Sequence, residues 1–311
     1  MLHERDDFAD LLTTVGESSG AGAAIVEKDY WVTEALRAVA APFFDGVVFK
    51  GGTSLSKAWN IIQRFSEDID LLIRSEGEGL DTGGERDRYM RSVAATVGEV
   101  DGLERAEGGR SERGISRTAV FAYAPHTVAR DGLDATVILE MGIRGGPHPT
   151  EVRQIQSMLG AALDGRIGDE STKAFEIVVL HPRRTFVEKL FAFHSACELW
   201  SEGRETALSR QTRHLPDIYS LLARADVAAF VGSDEYHALV HEVDAFGLQY
   251  FPRDHRAPND LRFAGSSALN PEGELRAAIE DEYARSAFLF YGDRPQLDAI
   301  FERIEEIRDR L

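Results

Sequence analysis

Two segments of this chain hold residues whose types and spacing suit chemistry. The first, Phe49-Lys50-Gly51-Gly52-Thr53-Ser54-Leu55-Ser56-Lys57, puts small residues and two lysines where a strand should turn into a helix; the second, Arg64-Phe65-Ser66-Glu67-Asp68-Ile69-Asp70-Leu71, follows closely. Successive strand side chains alternate sides, so Asp68 and Asp70 project from one face. Two like charges in an apolar run repel unless a cation neutralises them. Mg2+ (or Mn2+) takes one or two carboxylates together with phosphate oxygens, which suits this pair facing a triphosphate. A lone Asp-Ile-Asp is better explained as a solvated edge strand, and it is the glycine turn just before it that favours the metal. In that turn Gly51 and Gly52 let backbone N–H groups approach an anion, the hydroxyls of Thr53 and Ser54 can donate to phosphate oxygens, and Lys57 can reach the β- or γ-phosphate. Alone, the turn is as well explained by an ordinary strand-to-helix connection, since it has neither the Walker A nor the dinucleotide-fold spacing. Together the two segments point to an enzyme that handles a nucleoside triphosphate.

These residues need elements to hold them. Ile25 to Val39 has helical periodicity closed by Pro42, Val47 to Lys50 reads as a short buried strand, and Leu55, Ala58, Trp59 and Ile62 fall at i, i+3, i+4 and i+7 of a helix. Asp68 to Ile73 is the next strand. Ser75 to Arg86 reads as a loop before a helix from Arg88 to Val100, and Asp101 to Gly114 as a second loop before strands at Ile115–Ala124, Ala135–Ile143 and Phe175–Leu180. Beyond Pro182 the pattern is helical, over Thr185–Leu199, Leu215–Ala225, Glu235–Ala245, Glu274–Tyr291 and Gln296–Leu311. The expected organisation is therefore an α/β domain over 1–180 and a mostly helical one over 181–311.

With 43% hydrophobic and 28% charged residues in 311, the composition is that of a folded, soluble protein. The first residues lack the features of a signal peptide and no early apolar run is long enough for a membrane span, so the expectation is a cytoplasmic protein without a membrane partner; a monomer is favoured. The single cysteine, Cys197, excludes an internal disulfide. Nine scattered histidines form no zinc motif, and no Gly-x-Ser-x-Gly elbow marks a serine hydrolase. The net charge of −18 repels nucleic acid unless positive charge is gathered locally, as in the clusters Arg105/Arg110/Arg113/Arg117, Arg183/Arg184 and Arg253/Arg256/Arg262.

Gly-Gly-Thr-Ser-Leu-x-Lys followed by Arg-Phe-Ser-Glu-Asp-Ile-Asp-Leu, with Glu27-Lys28-Asp29-Tyr30-Trp31-Val32 upstream, resembles the AbiEii/AbiGii-type nucleotidyltransferase toxins, which include the MenT-type toxins of toxin–antitoxin systems. The resemblance is tight over about residues 25 to 73 and looser from 179 to 222. It implies a mixed-sheet α/β fold of DNA polymerase β type. It also implies a lysine in a helix after a strand, matched by Lys189 in His181-Pro-Arg-Arg-Thr-Phe-Val-Glu-Lys189, and an aspartate in a later Arg-Asp-x-x-Asp-like stretch, matched by Asp217 in Arg213-His-Leu-Pro-Asp217. This sequence has His214 where the family often has aspartate. A third metal carboxylate on a neighbouring strand is commonly present in the superfamily; Glu140 is the first choice here and Asp134 the second.

On this resemblance the chain transfers a nucleoside monophosphate from an NTP to an acceptor hydroxyl, most readily the 3′ end of tRNA, which blocks translation, and a cognate antitoxin restrains it. Asp68, Asp70 and Glu140 are expected to hold the metal, and Gly51, Gly52, Thr53, Ser54 and Lys57 the β- and γ-phosphates. Lys189 is expected to act on the triphosphate with Arg183 or Arg184, oriented by Asp217. Ser66, two residues before Asp68, is better read as a turn-capping serine than as a regulatory phosphorylation site, where about two negative charges would sit beside the metal ligands. The alternatives are a transferase that modifies protein and a non-catalytic binding module.

Overall fold

The structure is a computed structural model that describes residues 1–64, 68–74, 79–128, 130 and 132–311; Ser66 lies outside the described residues. The chain divides into two units, Met1–Leu180 and His181–Leu311. No described helix is long and apolar enough to cross a membrane.

The first unit runs α1 (Phe8–Ser19), α2 (Ala23–Ala40), β1 (Val47–Lys50), α3 (Gly51–Lys57), β2 (Asp68–Ile73), α4 (Gly83–Val97), β3 (Glu104–Ala106), β4 (Ser111–Glu112), β5 (Ser116–Ala122), β6 (Thr136–Gly142), β7 (Thr150–Ile155), α5 (Met158–Leu163) and β8 (Phe175–Leu180). The strands form one mixed sheet in the order β3-β5-β6-β2-β1-β8-β7, with β4 paired to β5. At its centre β2 pairs antiparallel with β1 and parallel with β6.

Alternation divides the sheet into two unlike faces. Phe49, Ile69, Leu71, Val137, Leu139 and Met141 lie on one and are all buried to 3% exposure or less. α2 and α4 cover this face: Trp31 of α2 stacks on Tyr123 at a centroid distance of 5.3 Å, and Phe121 lies under the end of α4 at Gly98. Each of these large side chains contributes about 1.5–3 kcal/mol on burial. The other face begins apolar, with Val48, Leu72, Val178 and Leu180 packed together against Phe44, and becomes charged one residue pair further along, at Lys50 and Asp70.

In the second unit the elements are helices: α6 (Pro182–Ser201), α7 (His214–Leu222), α8 (Ala225–Phe230), α9 (Asp234–Tyr250), α10 (Gly273–Arg285) and α11 (Leu297–Glu305). α6 starts cleanly because Pro182 sits in its first turn and the His181 ring accepts a hydrogen bond from the Arg183 N–H. α7, α8 and α9 pack on α6, and α11 on α7.

Several elements differ from the sequence reading, among them α3, α4, β7 and α5. α3 begins at Gly51, not Leu55, and ends at Lys57, so Ala58, Trp59 and Ile62 are buried without being helical. Asn60 takes a left-handed φ of 52°, and the Trp59 indole is drawn to the Leu180 carbonyl at 3.1 Å with the Arg153 guanidinium over its ring. α4 starts at Gly83 instead of Arg88, because Thr82 caps it and Glu85 reaches back to the Thr82 N–H, a complete capping box. β7 and α5 fall in a stretch to which the sequence reading assigns no element. Thr82→Ala is expected to lower stability by about 1 kcal/mol in urea unfolding, leaving any transferase activity of the folded protein unchanged.

Candidate active site

The register of the sheet builds a row of polar side chains. Lys50 lies opposite Asp70, Asp70 opposite Glu140 and Glu140 opposite Thr118, so all four share one face across four strands spaced about 4.8 Å apart. Asp68 sits on the same face two residues back. Both aspartates are half-buried and Glu140 is exposed.

The glycine turn closes directly on this row. Gly51 has a φ of 74°, and a Cβ placed on it would meet Asp70 Oδ2 at 2.0 Å. Only glycine allows the carboxylate to lie against the backbone here, for reasons of both conformation and space. The Thr53 hydroxyl then donates to the Asp68 carbonyl at 2.5 Å, tying the first turn of α3 to the start of β2. Asp68 and Asp70 are thus fixed beside the backbone of residues 51–53. Among the described residues no three His, Cys, Asp or Glu side chains gather into a metal-holding group, so Glu140 is a neighbour across the strands and does not close a three-carboxylate cluster with Asp68 and Asp70.

Several expected phosphate contacts are committed elsewhere. Ser54 is fully buried and its hydroxyl donates to the Gly51 carbonyl at 2.9 Å; Thr53, 4% exposed, spends its proton on Asp68. Lys57 is drawn to Asp29, Nζ to Oδ1 2.5 Å, while Asp29 Oδ2 accepts the Met158 N–H at 2.7 Å. The physical reason is position: a side chain near the end of a short helix points back over the preceding turns and into the α2 packing, away from the carboxylate row. The neighbours of Asp29 are equally structural. Glu27 accepts the His126 and Thr127 N–H groups and the Thr127 hydroxyl, and Lys28 donates to the Asp134 carbonyl at 2.7 Å, both 1% exposed. Glu27-Lys28-Asp29 is therefore a buried polar clamp that binds α2 to α3, α5 and the 126–134 connection. Lys50, which the sequence reading left without a role, shares the face of Asp70, is half-buried and makes no hydrogen bond or ion pair among the described residues. Its strand position opposite an aspartate was the signal, but only the register makes it visible.

Within the second unit, Lys189 and Asp217 meet: Nζ to Oδ2 is 2.7 Å, with Lys189 5% exposed and Asp217 fully buried. The Lys189 ammonium also lies 3.3 Å from His214 Nδ1. Arg184, expected at the triphosphate, is instead fully buried between Glu188 (3.1 Å) and Glu242 (2.9 Å). Arg183 is partly exposed and pairs with Glu235 at 3.0 Å.

The mixed sheet thus sets Asp70, with Asp68 on the same face, beside a glycine turn. Residues 34–306 match the family described as "Nucleotidyl transferase AbiEii toxin, Type IV TA system", and the chain belongs to that family of nucleotidyltransferase toxins. Among solved structures, the MenT4 nucleotidyltransferase toxin from Mycobacterium tuberculosis H37Rv shares the fold, with a TM-score of 0.51, 18% identity and 96% of each chain covered. No curated protein matches the chain. Membership of a toxin–antitoxin family implies a cognate antitoxin.

Gly51→Ala is expected to remove nucleotidyl transfer and to cost about 1–3 kcal/mol of stability, because the new methyl must displace Asp70 and the backbone is strained. Urea midpoints measured beside transfer assays check both effects. Lys57→Ala is expected to destabilise by about 1.5–3 kcal/mol by removing the cation from Asp29, which keeps the Met158 N–H. Combining it with Asp29→Ala should cost less than the sum of the single changes, which a double-mutant cycle reads directly.

Proposed function

We propose that this chain moves a nucleoside monophosphate from an NTP to an acceptor hydroxyl, and that the acceptor is the 3′ end of tRNA, so that translation stops when the toxin is unrestrained. The observation that carries the reading is the close approach of Asp70 to Gly51, which joins a carboxylate pair to a backbone anion cradle in one place. In transfer the acceptor oxygen forms a bond to the α-phosphorus, the bond from that phosphorus to the bridging oxygen breaks, and pyrophosphate leaves. The DNA polymerase β-type arrangement belongs to this reading too.

The donor set fits a hard divalent cation: two half-buried carboxylates on one face, with no side chain at Gly51 to fill the space beside them. Asp68 and Asp70 would hold it, with Glu140 alongside. Bound there, Mg2+ (or Mn2+) would lower the pKa of the attacking hydroxyl and offset charge growing on the leaving group. The chain's own groups orient the nucleotide. The backbone of Gly51 and Gly52 faces the β- and γ-phosphates, and Thr53, Ser54 and Lys57 act by fixing that backbone through their internal bonds. Lys50 supplies the phosphate-facing cation in place of Lys57. In the second unit Lys189, held by Asp217, offers an ammonium of the kind that suits a phosphate.

A protein acceptor is the second reading, favoured by the net charge of −18, which disfavours RNA. Incubation with each labelled NTP, total RNA and cell protein, followed by sequencing of RNA 3′ ends, separates the two. Label at tRNA 3′ termini supports the first reading; label confined to protein replaces it with the second. Asp68→Ala and Asp70→Ala are expected to cut transfer by at least about 100-fold. Lys50→Ala is expected to raise the KM for NTP about 10-fold with stability unchanged.

A further inference from the structure

Arg105, Arg110, Arg113 and Arg117 fall in one stretch of the chain, and the fold of the first unit keeps them together at the β3 edge of the sheet. Arg105 of β3 lies opposite Phe121 of β5, so it shares the face of Arg117, which is turned toward α4. Its guanidinium lies 5.1 Å over the Phe121 ring. Burial and the field of Arg117 both hold that guanidinium below the usual arginine range. On α4, Asp87 is 7% exposed and accepts Arg117 at 2.9 Å and Arg91 at 3.0 Å, while Arg113 adds to the same field. One carboxylate thus serves three guanidiniums. Arg105, Arg110 and Arg113 are exposed, and their side chains make no hydrogen bond or ion pair among the described residues. From this arrangement we propose that Arg105, Arg110, Arg113 and Arg117 form a surface that binds the phosphodiester backbone of RNA. The proposal rests on the reading of RNA as the acceptor and adds to it a place where that RNA is held.

Two close backbone approaches hold this surface in place. A Cβ at Gly109 would meet the Thr118 carbonyl oxygen at 2.7 Å, and the Arg110 carbonyl accepts the Thr118 N–H at 2.7 Å. Gly114 has a φ of 72°, a Cβ there would meet Gly83 at 2.3 Å, and the Arg86 guanidinium donates to the Gly114 carbonyl at 2.9 Å. The chain on either side of β4 is therefore fastened to β5 and to α4, and carries Arg110 and Arg113 at set positions. Backbone that is ordered before a ligand arrives costs less on binding. The carboxylates nearby are turned away or spent. Glu104 alternates to the other face of β3 from Arg105, Glu112 pairs with Arg144, and Glu85 closes the Thr82 cap. Glu107 makes no hydrogen bond or ion pair to these arginines among the described residues. The charge of −18 belongs to the whole chain, and salt largely screens exposed charges beyond about 8 Å. A ligand at this surface therefore meets the local excess of arginine. Four separate guanidiniums suit a ligand with a negative charge at every repeat, and the fork of each matches two phosphate oxygens.

The test is binding of labelled, unfractionated tRNA to the full chain, read by fluorescence anisotropy with no NTP present and repeated across salt concentrations. The logarithm of the binding constant is expected to fall linearly with that of the salt concentration, as release of counterions requires. With Arg110→Ala and Arg113→Ala combined, Kd at about 0.1 M salt should rise about 10-fold and the salt slope should shrink by about 1 to 2. Neither side chain bonds to the rest of the fold, so the urea midpoint should not move. Arg166→Ala combined with Arg253→Ala removes the same charge from two exposed arginines elsewhere, and Kd is expected to stay within about twofold. Equal weakening in the two double variants, no weakening in the first, or no tRNA binding at about 50 mM salt overturns the inference, as does poly-glutamate bound as tightly as tRNA. Transfer assays on the same proteins keep the two readings apart. Transfer to tRNA 3′ ends with no weakening in the first double variant removes this surface and leaves the proposed function, whereas weakened binding with no transfer by any of the proteins does the reverse.

Discussion

The site depends on one close approach, the Asp70 carboxylate against the backbone of Gly51. It couples the junction of β1 and α3 to β2, which the sequence keeps apart. The antiparallel register brings Asp70 level with Lys50, and the left-handed φ of Gly51 turns the chain into α3 without placing an atom over the carboxylate. Any residue with a Cβ would force these apart. The apolar half of the same face, Val48 and Leu72 with Val178 and Leu180, fixes the pair of strands so that the carboxylates have little freedom to retreat.

Around that contact the chain spends polar groups on rigidity. Thr53 bonds Asp68, Ser54 bonds Gly51, and Lys57 bonds Asp29. Buried charges of this kind contribute little net stability compared with apolar replacements, yet breaking one partner is costly, so they enforce a single arrangement. The same logic applies to Glu27 and Lys28, which hold backbone groups of residues 126, 127 and 134. The anion site proposed beside the two carboxylates would gain from such preorganisation, because the supporting groups do not need to move when a ligand arrives.

Much of this was legible in the sequence and some could not be. β1, β2 and β8 are read to the residue because their apolar runs are short, continuous and bounded by turn signals. α3 was misplaced because Leu55, Ala58, Trp59 and Ile62 carry a helical period that the left-handed Asn60 interrupts. The T-x-x-E signal for α4 was present at Thr82 and Glu85 and was outweighed by the surrounding glycines. β7 hides because it lies at the sheet edge, where Glu151, Val152 and Gln154 are exposed and no apolar alternation is needed. In the site, residue types identified the carboxylates and the glycine turn, but a hydroxyl or ammonium in such a motif serves a ligand or the protein with equal chemical ease. Only the register and the packing assign Thr53, Ser54, Lys57 and Arg184 to internal bonds and bring Lys50 forward.

The central claim is that the carboxylate pair and the glycine turn grip a metal–nucleotide together. A crystal of the full chain grown with Mn2+ and a non-hydrolysable NTP tests it most directly, through the anomalous difference signal of manganese. The account expects a peak at the carboxylates of Asp68 and Asp70, with the triphosphate running along the backbone of Gly51 and Gly52. Manganese and nucleotide bound together at another place, with those two carboxylates making no contact to either, would contradict it.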